Sequence, residues 1–223
     1  MDLLSLSDQT DADLEALYAA PGAHEGPWLR VNFVSTVDGS ATGPDGRSGG
    51  INNAADKRVV DTLRRLCDCV VVGAGTARDE GYRDLRKPLV LVSRSGAVPA
   101  QLRDAAPGEV LMATCAAAEH LDETRGLLGE EHVLVLGQYH VDLAAMKQQL
   151  ADRGLRHQLS EGGPHLFRDL LAEGVADEVD LTVVPRLLAG DHQRITQGPP
   201  VDVPLRLALL LEDAGTLLGR WLT

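Results

Sequence analysis

The sequence predicts an α/β fold with a mostly parallel central sheet, helices on both faces and an antiparallel C-terminal hairpin. Short apolar runs typical of buried strands alternate with helical patterns between residues 28 and 173, and this alternation favours parallel strands joined by right-handed crossovers. After residue 177 the strand-like segments follow one another without a helical pattern. The letters EDAGT favour a hairpin turn between the last two of these segments.

The elements can be assigned in order along the chain. Thr10 and Asp13 form an S/T-x-x-D capping pattern, which predicts a helix over 10–20 and makes 1–27 an N-terminal helical extension. The sequence shows no internal repeat or linker, so we expect 1–223 to form a single domain. Further strands are predicted over 28–36, 69–74, 88–93, 109–114, 132–137 and 155–160, and further helices over 54–67, 116–128, 143–153 and 164–173.

Charge and composition restrict the class of function. The 223 residues carry a formal net charge of −12, whereas proteins that bind nucleic acid or anionic membranes need a basic surface. We therefore expect neither kind of partner. Three cysteines, and an N-terminus without a basic segment ahead of an apolar one, predict a reduced, cytoplasmic protein. The seven histidines lack the spacing of metal ligands, so we expect no metal site.

Two glycine-containing turns stand where a predicted strand hands over to a helix. Gly73 and Gly75 follow one apolar strand, while Gly162 and Gly163 precede Pro164 after another. In open α/β sheets ligands bind at this carboxyl edge, and a helix N-terminus offers free N–H groups to phosphate. The alternative is that these glycines only make tight turns. Two such turns in one chain favour a dinucleotide, because its diphosphate needs more than one anchor.

The residues downstream of the first turn favour NADP over NAD. The letters GAGTAR contain the first two glycines of G-x-G-x-x-G, and Arg78 stands at the third position. The next strand ends in Ser93, Arg94 and Ser95. A cation flanked by hydroxyls suits a 2′-phosphate, whereas NAD binding would favour an acid. The alternative is that Arg94 is an ordinary solvated arginine.

Three segments together resemble a known family. They are VNFVSTVDG, LRRLCDCVVVGAGTARDEGY and LSEGGPHLFRDLLAEGVADEVDLTVVPRLLAG. In this order they resemble the reductase domain of bifunctional riboflavin-biosynthesis deaminase/reductases and, more closely, its stand-alone relatives, the pyrimidine reductases. The resemblance covers 28–223, nearly the whole chain. It is specific because S-x-x-D-G, G-A-G-T, E-G-G-P and D-E-x-x-L-x-x-x-P-x-L-L occur together.

The resemblance implies a dihydrofolate-reductase-like fold, NADPH as hydride donor and a homodimer. It also implies reduction of the ribosyl group of an aminopyrimidine phosphate to a ribityl group. Thr76 and Glu80 would lie along the cofactor, and Glu161 and Arg64 would face the substrate. The diphosphate would be held by Gly163, Pro164, His165 and Leu166.

The chain also departs from the family pattern. The letters SGGINNAADK stand where full reductases carry S-x-W-I-T, and DEGYRDLR stands where they carry D-D-P-x-L-T-x-R. Arg83 or Arg86 would therefore have to replace the arginine that contacts the substrate phosphate. The zinc deaminase motifs H-x-E and P-C-x-x-C are absent from the sequence.

Asp38 and Glu161 are the candidates for acid catalysis and for binding pyrimidine N–H groups. The match to S-T-V-D-G places Asp38 in the cleft, and both acids follow predicted strands, where functional side chains concentrate. The alternatives are that Asp38 bonds its own turn and that Glu161 complements a helix dipole. Asn32 could point a polar group into the cleft or could be a buried asparagine.

The leading prediction is an NADPH-dependent reductase of the riboflavin-biosynthesis type, acting on a small pyrimidine. Two alternatives use the same residues. One is a dihydrofolate or pterin reductase, and the other is a protein that senses NADP(H) without turnover.

Overall fold

Ten strands and six α-helices are present in the computed structural model, which describes residues 3–22, 26–82 and 85–223. Their boundaries follow the sequence periodicity closely. The strands are β1 (Leu4–Ser5), β2 (Trp28–Thr36), β3 (Cys69–Gly73), β4 (Leu89–Val92), β5 (Val110–Thr114), β6 (Val133–Val135), β7 (His157–Ser160), β8 (Glu178–Val184), β9 (Arg206–Asp213) and β10 (Thr216–Leu222). The helices are α1 (Asp11–Leu17), α2 (Ala54–Leu66), α3 (Ala74–Glu80), α4 (Leu121–Leu128), α5 (Leu143–Asp152) and α6 (Pro164–Ala172).

All ten strands form one sheet in the order β1-β9-β10-β8-β2-β7-β3-β4-β5-β6. The run from β8 through β2 and β7 to β6 is parallel. β10 pairs antiparallel with both β8 and β9, so the chain ends in the expected antiparallel hairpin. The parallel strands bring the turns after β2, β7, β3 and β4 to one edge of the sheet.

The helices cover both faces of the sheet and create two apolar layers. One layer contains Leu14 of α1, Leu63 of α2 and Ala77 of α3. The opposite layer contains Met146 of α5 and Phe167 of α6. The strands between them are apolar on both sides, as expected for a parallel sheet that is buried on both faces.

A buried ion cluster ties the N-terminal extension to the sheet. Glu178 is fully buried, lies 2.8 Å from an Arg220 nitrogen and 3.5 Å from an Arg30 nitrogen, and accepts a 3.0 Å hydrogen bond from the Trp28 indole. The two guanidinium groups also donate to carbonyl oxygens within 17–19, at the end of α1. These contacts hold the end of α1 against the sheet.

The structure confirms the predicted fold class, and the element boundaries agree to within a few residues. The helix predicted over 116–128 begins only at Leu121, because the N–H groups of Ala116 and Ala117 donate to carbonyl oxygens of the loop after β6. The two-residue strand β1 is too short to produce a periodic signal, and it was not predicted. Within the described part of the chain, no helix is long and apolar enough to cross a membrane.

Candidate functional site

The two glycine turns are directly bonded to each other. β3 and β7 are parallel neighbours, and the Gly73 N–H donates to the Gly162 carbonyl oxygen over 2.8 Å. A Cβ atom at Gly163 would collide with the Thr76 hydroxyl, and one at Gly162 would lie 2.7 Å from the Phe33 ring. Gly162 also has a φ of +94°, which favours glycine. Gly162 and Gly163 are therefore required at this turn, because neighbouring groups leave no room for side chains.

The second turn leads directly into the N-terminus of helix α6. Gly163 is the N-cap residue, no side chain caps the helix, and Pro164 occupies its first turn. Proline has no N–H, so the donors of this first turn belong to the following residues. His165 and Leu166 present their N–H groups at the positive end of the helix dipole, which is an anion-binding arrangement.

A cleft of about 480 Å³ lies beside the turns. Its walls come from α2, α3, strand β2 and the turn between β7 and α6. The structure thus brings together side chains that are far apart in sequence. The predicted site residues that line the cleft are Asn32, Arg64, Thr76, Glu80, Glu161, Gly163 and Pro164.

Glu161 and Arg64 form a bidentate ion pair in this cleft. Arg64 Nε and a terminal nitrogen each lie 2.7 Å from one Glu161 oxygen, and the Glu161 side chain is only 8% exposed. Hydrogen bonding to Glu161 raises the pKa of Arg64. The Tyr82 hydroxyl is also hydrogen-bonded to Glu161, and burial is the main cause of the raised pKa of Tyr82. Glu161 is therefore oriented as a hydrogen-bond acceptor.

Glu80 links the two walls of the cleft. One of its carboxylate oxygens accepts the N–H of Ser48 over 2.9 Å, which holds the turn before α2 against the end of α3. Thr76 lies one helical turn earlier on α3 and faces the turn at Gly163. Both residues line the cleft.

Asp38 lies outside the group of residues that line the cleft, contrary to our expectation. One carboxylate oxygen accepts the N–H groups of Leu188 and Ala189 over 3.0 and 2.7 Å, and Thr36 donates its hydroxyl to the other. The Thr36 hydrogen bond and then the Ala189 bond lower the pKa of Asp38 to about 2. These hydrogen bonds favour the ionised form of Asp38. The geometry thus gives Asp38 a task in fixing the loop after β8.

Asp56 is a cleft residue that sequence reasoning missed. It lies on α2, is 3% exposed, lines the cleft and has one carboxyl oxygen without a hydrogen-bond partner. Burial raises its pKa, and a hydrogen bond with Thr182 opposes the rise. Asn32 also lines the cleft with an unpartnered buried oxygen. In the sequence Asp56 resembles any acid in the first turn of a helix, so no local signal marks it.

The remaining predicted residues lie along the same sheet edge. Ser93 and Arg94 follow β4, the neighbour of β3. Arg94 is exposed, whereas the Ser93 hydroxyl accepts the N–H of Gly96 over 3.1 Å. Gly75 is half-buried within the first turn of α3. Arg83 lies outside the described residues. Among the residues that are described, no three His, Cys, Asp or Glu side chains cluster to hold a metal ion.

Comparison with known proteins connects this geometry to a family. The family model described as "RibD C-terminal domain" matches residues 27–217. The 2,5-diamino-6-ribosylamino-4(3H)-pyrimidinone 5′-phosphate reductase of Methanothermobacter thermautotrophicus is 28% identical over 196 residues, which cover 79% of this chain and 86% of that protein. The Escherichia coli riboflavin biosynthesis protein RibD is 23% identical over 199 residues, or 79% of this chain and 53% of that protein.

The fold also occurs in a solved structure. A pyrimidine reductase-like protein from Corynebacterium diphtheriae superposes with a TM-score of 0.74 at 23% identity, covering 94% of this chain and 97% of that one. This chain spans about half the length of the RibD proteins and most of the length of the archaeal reductases. The match to stand-alone reductases is therefore the more complete one.

We predict that Asp38→Ala will loosen the loop after β8. In the wild type, hydrogen bonds lower the pKa of Asp38 from its ordinary 3.8 to about 2. The stability that these hydrogen bonds contribute is therefore present above pH 3.8 and is lost as the pH falls toward 2. Amide hydrogen exchange at Leu188 and Ala189 should be several-fold faster in the variant at neutral pH. Asp202→Ala, at an exposed position, is the control. Unchanged protection at both amides would contradict the prediction.

Proposed function

The chain belongs to the RibD C-terminal domain family, and on this premise we propose that it is a cytoplasmic NADPH-dependent pyrimidine reductase. Its substrate would be a ribosylaminopyrimidine phosphate of the type named for its archaeal relatives. One observation carries the proposal: two bonded glycine turns open beside a cleft that holds an oriented carboxylate. Such a site suits a dinucleotide together with a small nitrogen-rich ring.

The residues at the turns fit the diphosphate of a nicotinamide dinucleotide. The bare backbone of Gly73 and Gly163 permits close approach, and the N–H groups of His165 and Leu166 would donate to phosphate oxygens. Thr76, which faces Gly163, would contact the same group from α3. When bound, NADPH would supply the hydride for the reduction.

The preference for NADPH would come from the end of β4. Adjacent strands lie roughly 4.8 Å apart, so Ser93 and Arg94 stand about two strand spacings from the α6 N-terminus that follows β7. A dinucleotide whose diphosphate lies at α6 could therefore extend its adenosine half along this edge. The exposed guanidinium of Arg94 would then meet the 2′-phosphate.

The substrate would bind over the Glu161–Arg64 pair. A carboxylate offers about four lone-pair sites, and Arg64 and Tyr82 occupy only some of them. Glu161 can therefore accept an N–H group of a pyrimidine, and the unpartnered oxygen of Asn32 can accept another. We propose that Arg83 contacts the substrate phosphate, because in sequence it lies between two residues that line the cleft.

We also propose that the protein is a homodimer. The C-terminal strands present a half-exposed apolar face on the side opposite α1 and α2, and Leu217 is 40% exposed there. A second copy placed on this face would bury it, as is common in obligate dimers.

Light scattering should give twice the 23.8 kDa mass of one chain, and Leu217→Arg should shift the mass toward one copy. A monomeric wild-type protein would contradict the proposal.

We predict NADPH oxidation with a ribosylaminopyrimidine phosphate and not with dihydrofolate. The assay follows NADPH absorbance with 2,5-diamino-6-ribosylamino-4(3H)-pyrimidinone 5′-phosphate, with 5-amino-6-(5-phosphoribosylamino)uracil and with dihydrofolate in turn. Glu161→Gln should lower kcat/KM by roughly 10- to 100-fold, because a hydrogen bond to a charged acceptor is lost. Activity with dihydrofolate alone would indicate a pterin reductase. Firm NADPH binding without any turnover would indicate a sensor.

We predict that NADPH binds more tightly than NADH and that Arg94→Ala reduces the difference. Loss of one charge-assisted hydrogen bond should weaken NADPH binding by about tenfold or more while leaving NADH binding unchanged. Dissociation constants from calorimetry provide the measurement. Arg153→Ala, at the exposed C-cap of α5, is the matched control. Equal affinities of the wild type for both dinucleotides would remove the 2′-phosphate argument.

A further inference from the structure

Asp56 has no task in the binding scheme above, although it lines the cleft. One oxygen of its buried carboxyl group has no hydrogen-bond partner. The side chain is also hydrogen-bonded to Thr182 of β8. Resting on the proposed reductase function, we propose that Asp56 is the catalytic acid, which gives its proton to the substrate nitrogen next to the carbon that is reduced.

The Asp56 side chain does not cap the helix in which it lies. Asn53 is the N-cap of α2, and its side chain accepts the N–H of Asp56 over 3.0 Å. An acid at this position often bonds back to the N-cap N–H and completes a capping box. The Asp56 carboxyl bonds Thr182 on the sheet instead. Its side chain thus points away from the helix terminus, toward the sheet under the cleft.

The surroundings of Asp56 favour the protonated form of its carboxyl group. Burial is the largest cause of its raised pKa, and the negative charge of Glu161 raises it further. On its own helix, Lys57 is bonded to Asp61 over 2.8 Å and Arg64 is committed to Glu161. β2 contributes the neutral Asn32 and β8 the neutral Thr182. The two cations that line the cleft within the described part of the chain are thus bonded to other acids.

Glu161 and Asp56 would therefore have different roles in the cleft. Glu161 is paired with a guanidinium and serves as an acceptor, whereas Asp56 is buried without a cation and serves as a donor. Two acids in such different environments, one paired with a cation and one buried without one, are a general mark of acid–base sites. The chain places the pair on two different elements, α2 and the turn before α6.

The proposed step balances with the reductant already named. The ribosylamino group would first isomerise to its open-chain imine: the C–O bond of the sugar ring breaks, the nitrogen loses its proton and the ring oxygen gains one, with no net change in protons or electrons. A hydride from NADPH would then add to the carbon of this C=N bond, and the π electrons move to the nitrogen. The O–H bond of Asp56 breaks as the new N–H bond forms. The substrate is reduced to an amine, the dinucleotide is oxidised, and water entering the open cleft returns a proton to the Asp56 carboxylate.

The proton on Asp56 can be measured without cofactor or substrate. Carbon-13 NMR of labelled aspartate carboxyl groups, compared between the wild type and Asp56→Asn, identifies the Asp56 signal. We expect this signal to titrate above the ordinary value of 3.8. Titration at or below that value would overturn the proposal.

The same variant separates proton delivery from binding and folding. Asp56→Asn should lower kcat by roughly 10²- to 10⁴-fold and leave the NADPH dissociation constant unchanged. Because the folded protein holds the proton more tightly than the unfolded chain, stability falls as the pH rises above 3.8. The neutral asparagine should therefore match or exceed the wild-type melting temperature at pH 8, so lost activity would not reflect unfolding.

Thr182→Val tests the same proton through the pH dependence of kcat, and it should favour the protonated form of Asp56. Its hydroxyl lowers the pKa of Asp56, so its removal should move the alkaline fall in kcat to higher pH. Asp122→Asn, whose wild-type side chain is 99% exposed on α4, should leave the profile unchanged. An unaltered kcat and pH profile in Asp56→Asn would overturn the proposal. A wild type without turnover, but with a protonated Asp56, would count against the proposed reaction and not against the proton held at Asp56.

Discussion

The parallel pairing of β3 with β7 is the constraint on which the site depends. It brings two turns that are almost ninety residues apart in sequence into direct contact through the Gly73 to Gly162 hydrogen bond. Thr76 of α3 occupies the space that a side chain at Gly163 would need, so this turn is restricted to glycine. The open N-terminus of α6 and the cleft beside it both follow from this arrangement.

The charges in the cleft give the site its chemistry. An acidic chain would repel an anionic ligand unless backbone N–H groups and local cations compensate, and here α6 supplies the first while Arg64 and Lys57 line the cleft. Arg64 is engaged by Glu161, which leaves Asp56 buried without a counter-charge. One ion pair thereby orients Glu161 and takes up the guanidinium that could otherwise face Asp56.

The sequence was sufficient for the sheet because strands and helices differ in period. It also located both glycine turns, since Gly162 and Gly163 interrupt a strand just before a proline at a helix start. It could not distinguish the two aspartates. Asp38 follows a strand in a D-G turn and was expected in the cleft, but two hydrogen bonds join it to the loop after β8 and a third joins it to Thr36 at the end of β2. Asp56 is marked only by burial, which depends on tertiary packing.

The most direct test of this account is a crystal structure of the protein with NADPH. The account predicts diphosphate oxygens within hydrogen-bonding distance of the amide nitrogens of His165 and Leu166, with the nicotinamide ring in the cleft between Thr76 and α2. A diphosphate bound at another edge of the sheet, with both glycine turns left free of the dinucleotide, would contradict it.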